Sequence, residues 1–249
     1  MNNAKKILYL CTIVLLSGCA VQSNGINDAS DTVDPWQGYN RAVFAFNEGV
    51  DKAVLKPVST AYTKAVPSFI RARVTSFFAN IQDLPIAANN FLQGNAKDGT
   101  SDLMRVLVNS TIGLGGLFDV ASKIDGLEKH DEDFGQTLAV WGVESGPYVV
   151  IPILGPSTAR DLPARVADIF MNPINHIDDD DVRTSLTVTD AVDTRANFIP
   201  LEDTVKALSP DYYVALRDFY LKRRQNLIEN NKGDSDSDGL YEELLSESE

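Results

Sequence analysis

Apolar residues recur at helical spacing through most of residues 34–232, but Gly and Pro interrupt the pattern every few turns. Trp36, Tyr39, Val43, Phe46 and Val50 form one such series, widened by Phe44 and Val54. Asp34-Pro35-Trp36-Gln37 reads as its start: Asp34 can cap, Pro35 suits a first helical position and Gln37 can complete a capping box. A second helix is expected after Pro67, with Ile70, Val74, Phe77, Phe78 and Ile81 on one side. Others are expected near 84–93, 101–112, 160–170 and 182–195. Ser209-Pro210-Asp211 opens a last long helix, with Tyr212, Leu216, Phe219, Tyr220 and Leu227 on one face and Lys222-Arg223-Arg224 at its end. No stretch alternates cleanly enough to define a sheet, although Tyr148 to Leu154 could form a short strand. The expected fold is all-α, a single domain over 34–232.

That pattern excludes a spanning helix after the first residues. The longest charge-free stretches, Val106–Phe118 and Ser145–Ala159, are shorter than the roughly 18–20 residues a span needs, and both carry Gly or Pro. They suit either a buried helix and loop or a segment lying in a membrane interface.

The ends of the chain belong to a different regime. Lys5 and Lys6 precede an apolar run over 7–16, which closes on Leu16-Ser17-Gly18-Cys19. Residues 1–18 therefore read as a signal peptide. The small pair followed at once by cysteine resembles the bacterial lipobox, in which the thiol takes a diacylglyceryl group and the new amine an acyl chain. Three chains on Cys19 anchor the protein strongly, since each buried methylene contributes about 0.8 kcal/mol. Ala20, rather than aspartate, follows the cysteine and favours the outer membrane. The other cysteine, Cys11, leaves with the signal, so the mature chain has no disulfide.

Residues 19–33, rich in Ser, Asn and Asp, read as a flexible tether, and 233–249 as an acidic solvated tail. Net charge is −13, and loss of Lys5 and Lys6 makes the mature chain more negative still. Such a surface excludes nucleic acid as a partner and gains nothing from anionic headgroups. Asp234-x-Asp236-x-Asp238-Gly239 matches the start of a calcium loop, but its twelfth position is Leu245 rather than a bidentate Glu.

Catalytic constellations are weak. His130 and His176, the two histidines, each lie among acids, which is too few soft ligands for zinc. His176-x4-Asp181 formally matches an acyltransferase pair, within a run of four aspartates that makes a chance match easy. Gly155-Pro156-Ser157-Thr158-Ala159 lacks the second Gly of a nucleophile elbow, and Gly113-Leu114-Gly115-Gly116 lacks the Lys-Ser/Thr of a phosphate loop. No catalytic residue, metal or non-covalent cofactor is expected. Lys222-Arg223-Arg224 suits a helix end, or alternatively lipid phosphate.

Longer blocks are more specific. Asp34-Pro35-Trp36-Gln37-Gly38-Tyr39-Asn40-Arg41, Phe44-Ala45-Phe46-Asn47, Lys56-Pro57-Val58 and Phe91-Leu92-Gln93-Gly94 come first. Asn109 to Asp119, Phe134 to Leu138, Trp141-Gly142-Val143, Gly146-Pro147-Tyr148 and Gly155 to Asp161 follow in order. Together they resemble the MlaA (VacJ) family of outer-membrane phospholipid-transport lipoproteins across nearly all of the mature core. The resemblance implies a ring-like helical body in the inner leaflet of the outer membrane, with a central amphipathic channel. Through it, phospholipids astray in the outer leaflet would pass toward the periplasm, which maintains lipid asymmetry. It also implies a trimeric porin and a soluble periplasmic phospholipid carrier as partners. Within these blocks, Phe44, Phe46, Asn47, Gly113, Gly115 and Gly116 are the candidates for shaping the ring and its lipid path. Under this resemblance Val106–Phe118 and Ser145–Ala159 become membrane-contacting segments.

Overall fold

The computed structural model describes residues 34–230; the signal, Cys19, the tether and the calcium-like run of the tail lie outside the described residues. Eight α-helices and one hairpin make up the described body: α1 (Gln37–Val50), α2 (Lys56–Ala65), α3 (Ser68–Leu92), α4 (Ala96–Thr111), α5 (Phe134–Val140), α6 (Asp161–Met171), α7 (Asp180–Leu208) and α8 (Tyr212–Asn230). Strand β1 (Tyr148–Ile151) pairs antiparallel with β2 (Gly155–Thr158), Tyr148 opposite Thr158. The strand expected at 148–154 is thus half of a hairpin, whose turn at Ile153 takes a positive φ of 68°.

Proline shapes the helices without always ending them. A π turn, Asp51–Leu55, joins α1 to α2, and Pro57 sits in the first turn of α2. Pro57 offers no N–H and its ring crowds the carbonyl four residues back, so a widened turn there accommodates it. Pro85 lies inside α3, and the two helices expected over 68–81 and 84–93 are one. Pro200 lies inside α7, which runs 13 residues past the expected end at 195. Asp34 does not cap α1; its carboxylate is buried and accepts from Asn40 Nδ2 (2.7 Å) and the Tyr213 hydroxyl. The aspartate run at 178–181 has a local use, since Asp179 accepts from the amides of Asp181 and Val182 and caps α7.

Successive packing closes a circuit. α1 packs on β1, β2 on α6, α6 on α5, α5 on α3, α3 on α7 and α7 on α2, which continues from α1. Helix α8 touches both α5 and α7, bridging the circuit, while α4 packs along α3.

The polarity of this body is reversed from that of a water-soluble bundle. Helix α4 buries Ser101, Asp102, Arg105 and Asn109 and exposes Leu103, Met104 and Leu107. Helix α6 buries Asp161 and exposes Leu162, Val166, Ile169 and Phe170. The apolar stripe read on α1 is largely outward too: Trp36, Tyr39, Phe46 and Val50 are exposed, while Asn40 is buried. Large exposed apolar patches on a folded body mark a surface that meets lipid or protein. Among the described residues no helix is long and apolar enough to cross a membrane.

Candidate functional site

A cavity of about 600 Å³ opens between α1, the π turn, the hairpin, α7 and α8. Its wall is mostly aromatic and aliphatic, with Phe44, Leu55, Phe198, Leu216 and Phe219 among the lining residues. The face predicted for α8 supplies Tyr212, Leu216, Phe219 and Tyr220 to this wall, and Leu227 is buried beyond it. Phe44 packs its ring against Tyr212 (5.6 Å) and Tyr213 (5.5 Å), which ties α1 to the start of α8.

An ionic cluster forms one side of the cavity. Glu202 is buried and receives Lys206 (2.5 Å), Lys56 (3.1 Å) and Arg195, while Arg195 also grips Asp51 through two nitrogens at 2.7 and 2.8 Å. Burial by itself would raise the Glu202 carboxyl, yet the hydrogen bonds from Lys206, Arg195 and Lys56 hold it down at about 2. Glu202, Lys206 and Arg195 come from one helix at intervals of four and seven residues, a spacing that places them on one face. That periodicity is the sequence signal that marks this cluster, which carries no short motif.

The hairpin is held against the cavity by asparagines two turns apart on α1. Asn40 donates to the Tyr148 carbonyl (3.1 Å) and accepts from the Val150 amide (2.8 Å). Asn47 donates to the Ile151 carbonyl (2.9 Å) and accepts from the Ile153 amide (2.7 Å). The two side-chain amides therefore satisfy the free edge of β1, as a neighbouring strand would. Arg165 of α6 holds the other side of the turn, donating to the carbonyls of Leu154 (2.8 Å) and Pro156.

Of the candidates for the lipid path, Phe44 and Asn47 line the cavity. Phe46 faces outward and is 54% exposed. Gly113, Gly115 and Gly116 lie at the end of α4, outside the lining. Their use there is conformational: a β-carbon on Gly113 would stand 2.2 Å from the Phe118 carbonyl oxygen, and Gly116 has a φ of +87° against the Asn80 side chain. This turn displays Ile112, Leu114, Leu117 and Phe118 outward, and the hairpin displays Ile153 and Leu154. Both charge-free stretches thus expose apolar side chains, although the strands of the second also bury Tyr148, Val149 and Val150.

The remaining motifs resolve into structural roles. Lys222-Arg223-Arg224 does not end a helix, because α8 continues to Asn230. Arg224 instead bridges Asp133 (Nη2–Oδ1, 2.7 Å) and Asp161 (2.8 Å), and Arg223 pairs with Asp131. His130 bonds Asp102 at 2.9 Å, which raises its pKa, and His176 donates to the Phe170 carbonyl at 2.7 Å. Among the described residues no three His, Cys, Asp or Glu side chains gather as a metal site.

Comparison with known proteins agrees with this architecture. The family model for the MlaA lipoprotein matches residues 32–227. The intermembrane phospholipid transport system lipoprotein MlaA of Escherichia coli K12 is 32% identical over 214 residues, covering 84% of this chain and 82% of that protein. An uncharacterized protein of Rickettsia typhi is 36% identical over 204 residues, covering 82% and 81%. A solved structure, from work on the structural basis for maintenance of bacterial outer membrane lipid asymmetry, superposes with a TM-score of 0.68 at 30% identity. That match covers 78% of this chain and 98% of the other. The ring-like helical fold expected from the sequence is the fold matched. By sequence over most of its length and by structure, the chain belongs to the MlaA lipoprotein family.

Proposed function

We propose that this protein is an outer-membrane lipoprotein of intermembrane phospholipid transport, which removes mislocalised phospholipid from the outer leaflet and so maintains lipid asymmetry. The observation that carries the reading is the reversed polarity of the body around a cavity of about 600 Å³. A helix lying in a leaflet faces acyl chains with its apolar side, and its backbone groups are satisfied within the helix. Outward Leu103, Leu107, Val166, Ile169 and Phe170 suit that environment. Polar groups then have to turn inward, where ion pairs and amide ladders satisfy them.

In this reading the cavity is the lipid path. Its aromatic and aliphatic wall accommodates acyl chain, and the Glu202 cluster and Arg165 offer polar contacts to a headgroup. Phe44 and Asn47 shape the path; the glycines of 113–116 set a membrane-facing turn at the end of α4. Three acyl chains on Cys19 hold the body at the membrane. A trimeric porin on the apolar outer surface and a soluble periplasmic phospholipid carrier below it complete the route, consistent with the family resemblance. Lipid moves without a bond being made or broken, so His130 and His176 have no catalytic part.

The test is the amount of aminophospholipid on the cell surface, read with a membrane-impermeant amine reagent in cells lacking the protein. Surface label should rise on deletion and fall again with wild type but not with Cys19→Ser. Unchanged label on deletion would leave a scaffolding lipoprotein as the better account.

A further inference from the structure

The large cavity adjoins a smaller one of about 160 Å³, and the two share Arg165, Tyr220 and Arg223. Their walls differ in chemistry. The large cavity is mainly apolar, whereas the small one is lined by Asp133, Asp161, Asp168 and three arginines. Most of those charges are already matched: Arg224 bridges Asp133 and Asp161, Arg160 binds Asp161 (2.7 Å) and Arg223 binds Asp131.

Arg165 stands apart. Among the described residues no carboxylate is ion-paired with it, and its only hydrogen bonds are those to the Leu154 and Pro156 carbonyls. Neutral carbonyls do not balance a guanidinium, and they use two of its five N–H groups. Three donors therefore remain where a polar chamber meets an apolar one, and Asp168, which feels the guanidinium electrostatically, makes no hydrogen bond or ion pair with it. An oxyanion joined to a hydrocarbon tail matches that junction in both charge and shape, because charge-assisted hydrogen bonds from arginine to phosphate are strong and directional.

We propose that Arg165 is the phosphate-contacting residue of this cavity, receiving the phosphodiester of a phospholipid headgroup at the junction while the acyl chains lie along the apolar wall. The inference rests on reading the cavity as the lipid path.

Pinning the hairpin and binding phosphate are separable by charge. Arg165→Gln keeps donors for the two carbonyls without charge, and Arg165→Lys keeps the charge on one nitrogen. Full-length acylated protein carrying a photoreactive residue at Leu216, in the cavity wall, would be irradiated in cells grown on radioactive phosphate. Wild type should capture labelled phospholipid. Arg165→Gln should capture about tenfold less, and Arg165→Lys should stay within about threefold of wild type. Equal capture by Arg165→Gln, or equal loss in both variants, would overturn the assignment while leaving the lipid path intact. No capture even by wild type would remove the lipid path and this inference together.

A second measurement needs no variant. Dihexanoyl phosphatidylcholine should shield Arg165 of the purified protein from an arginine-selective dicarbonyl reagent, but leave Arg73, which lines neither cavity, unshielded. Shielding by the short-chain lipid at lower concentration than by inorganic phosphate identifies a lipid headgroup site. Equal potency of the two would reassign it to free phosphate, and shielding by neither would overturn it.

Discussion

Two parts of this molecule are held together by opposite means. Where α1, the hairpin and α8 meet, Tyr148, Val150 and Tyr213 form a small buried core with Phe44, Val43 and Tyr220 around it. Where α3 meets α4, the buried groups are mostly polar, Asn80, Asp83, Asn90, Asp102, Arg105 and Asn109, beside Phe78, Ile86 and Ala87 of α3. Arg105 there contacts Asp83 and Asp119 at 3.2 Å and the Leu127 carbonyl at 2.8 Å, while Lys129 also reaches Asp83. In the proposed membrane setting the difference follows from what lies outside. A helix pair whose outer surface is apolar gains little by turning more apolar groups inward, since lipid accommodates them equally well, so polar pairing supplies the attachment. The hairpin core encloses aromatic side chains at the bridge made by α8, and ordinary burial holds it.

The contrast can be broken most severely at Arg105. Arg105→Leu leaves Asp83 to Lys129 alone and strips a partner from Asp119, and should destabilise the protein by about 3–4 kcal/mol. Thermal unfolding in detergent would register this, and a loss below about 1 kcal/mol would show that the α3–α4 pair does not depend on its ion pairs.

Tyr148→Ala tests the other core. Removing a buried ring that packs against Tyr213 (6.4 Å) and Tyr220 (6.0 Å) should cost about 3 kcal/mol. Unlike Arg105→Leu, which leaves buried Asp83 short of a cation and should cost less as the carboxyl protonates at low pH, its effect should be nearly independent of pH, so unfolding at two pH values separates the mechanisms.

Asp168 sharpens the comparison by pH. Burial raises its carboxyl to about 6, with Asp133 adding to the rise and the Phe134 amide, Arg224 and Arg165 opposing it. A carboxyl harder to ionise when folded than when unfolded lowers stability as pH climbs from about 4 through 6. Asp168→Asn keeps an acceptor for the Phe134 amide (2.9 Å) and should therefore stabilise by about 2 kcal/mol at pH 7.5, with the gain vanishing by pH 4. A gain constant with pH would contradict that origin.

The smallest effect on stability belongs to the outer face. Leu107→Ser, at a position 57% exposed, should change unfolding in detergent by less than about 0.5 kcal/mol. In the unacylated Cys19→Ser form it should nonetheless weaken binding to phosphatidylethanolamine vesicles. Unchanged binding would point to a protein partner, rather than lipid, on the outer face of α4.

Local order was visible in the sequence because helical periodicity, Gly and Pro act over a few residues. The strand at Tyr148 and the apolar face of α8 were legible for that reason, and the long family blocks pointed to the ring. The direction in which a face points was not. Period alone locates an amphipathic stripe, and the stripe of Trp36, Tyr39, Phe46 and Val50 reads the same whether it meets a core or a lipid leaflet. Asp34 likewise matched a capping pattern at Pro35, but the distant hydroxyl of Tyr213 and amide of Asn40 claim its carboxylate.

By itself the sequence determined a helical domain without a spanning segment, its family, and an expected lipid anchor at Cys19. Only the tertiary structure decided that polar groups turn inward, that Phe44 and Asn47 line the cavity while the 113–116 glycines set a turn, and that Arg165 meets it without an ion-paired acid. The reason is range: helix periodicity and turn chemistry are fixed by near neighbours, whereas charge pairing and exposure depend on residues such as Asp51 and Arg195, 144 positions apart.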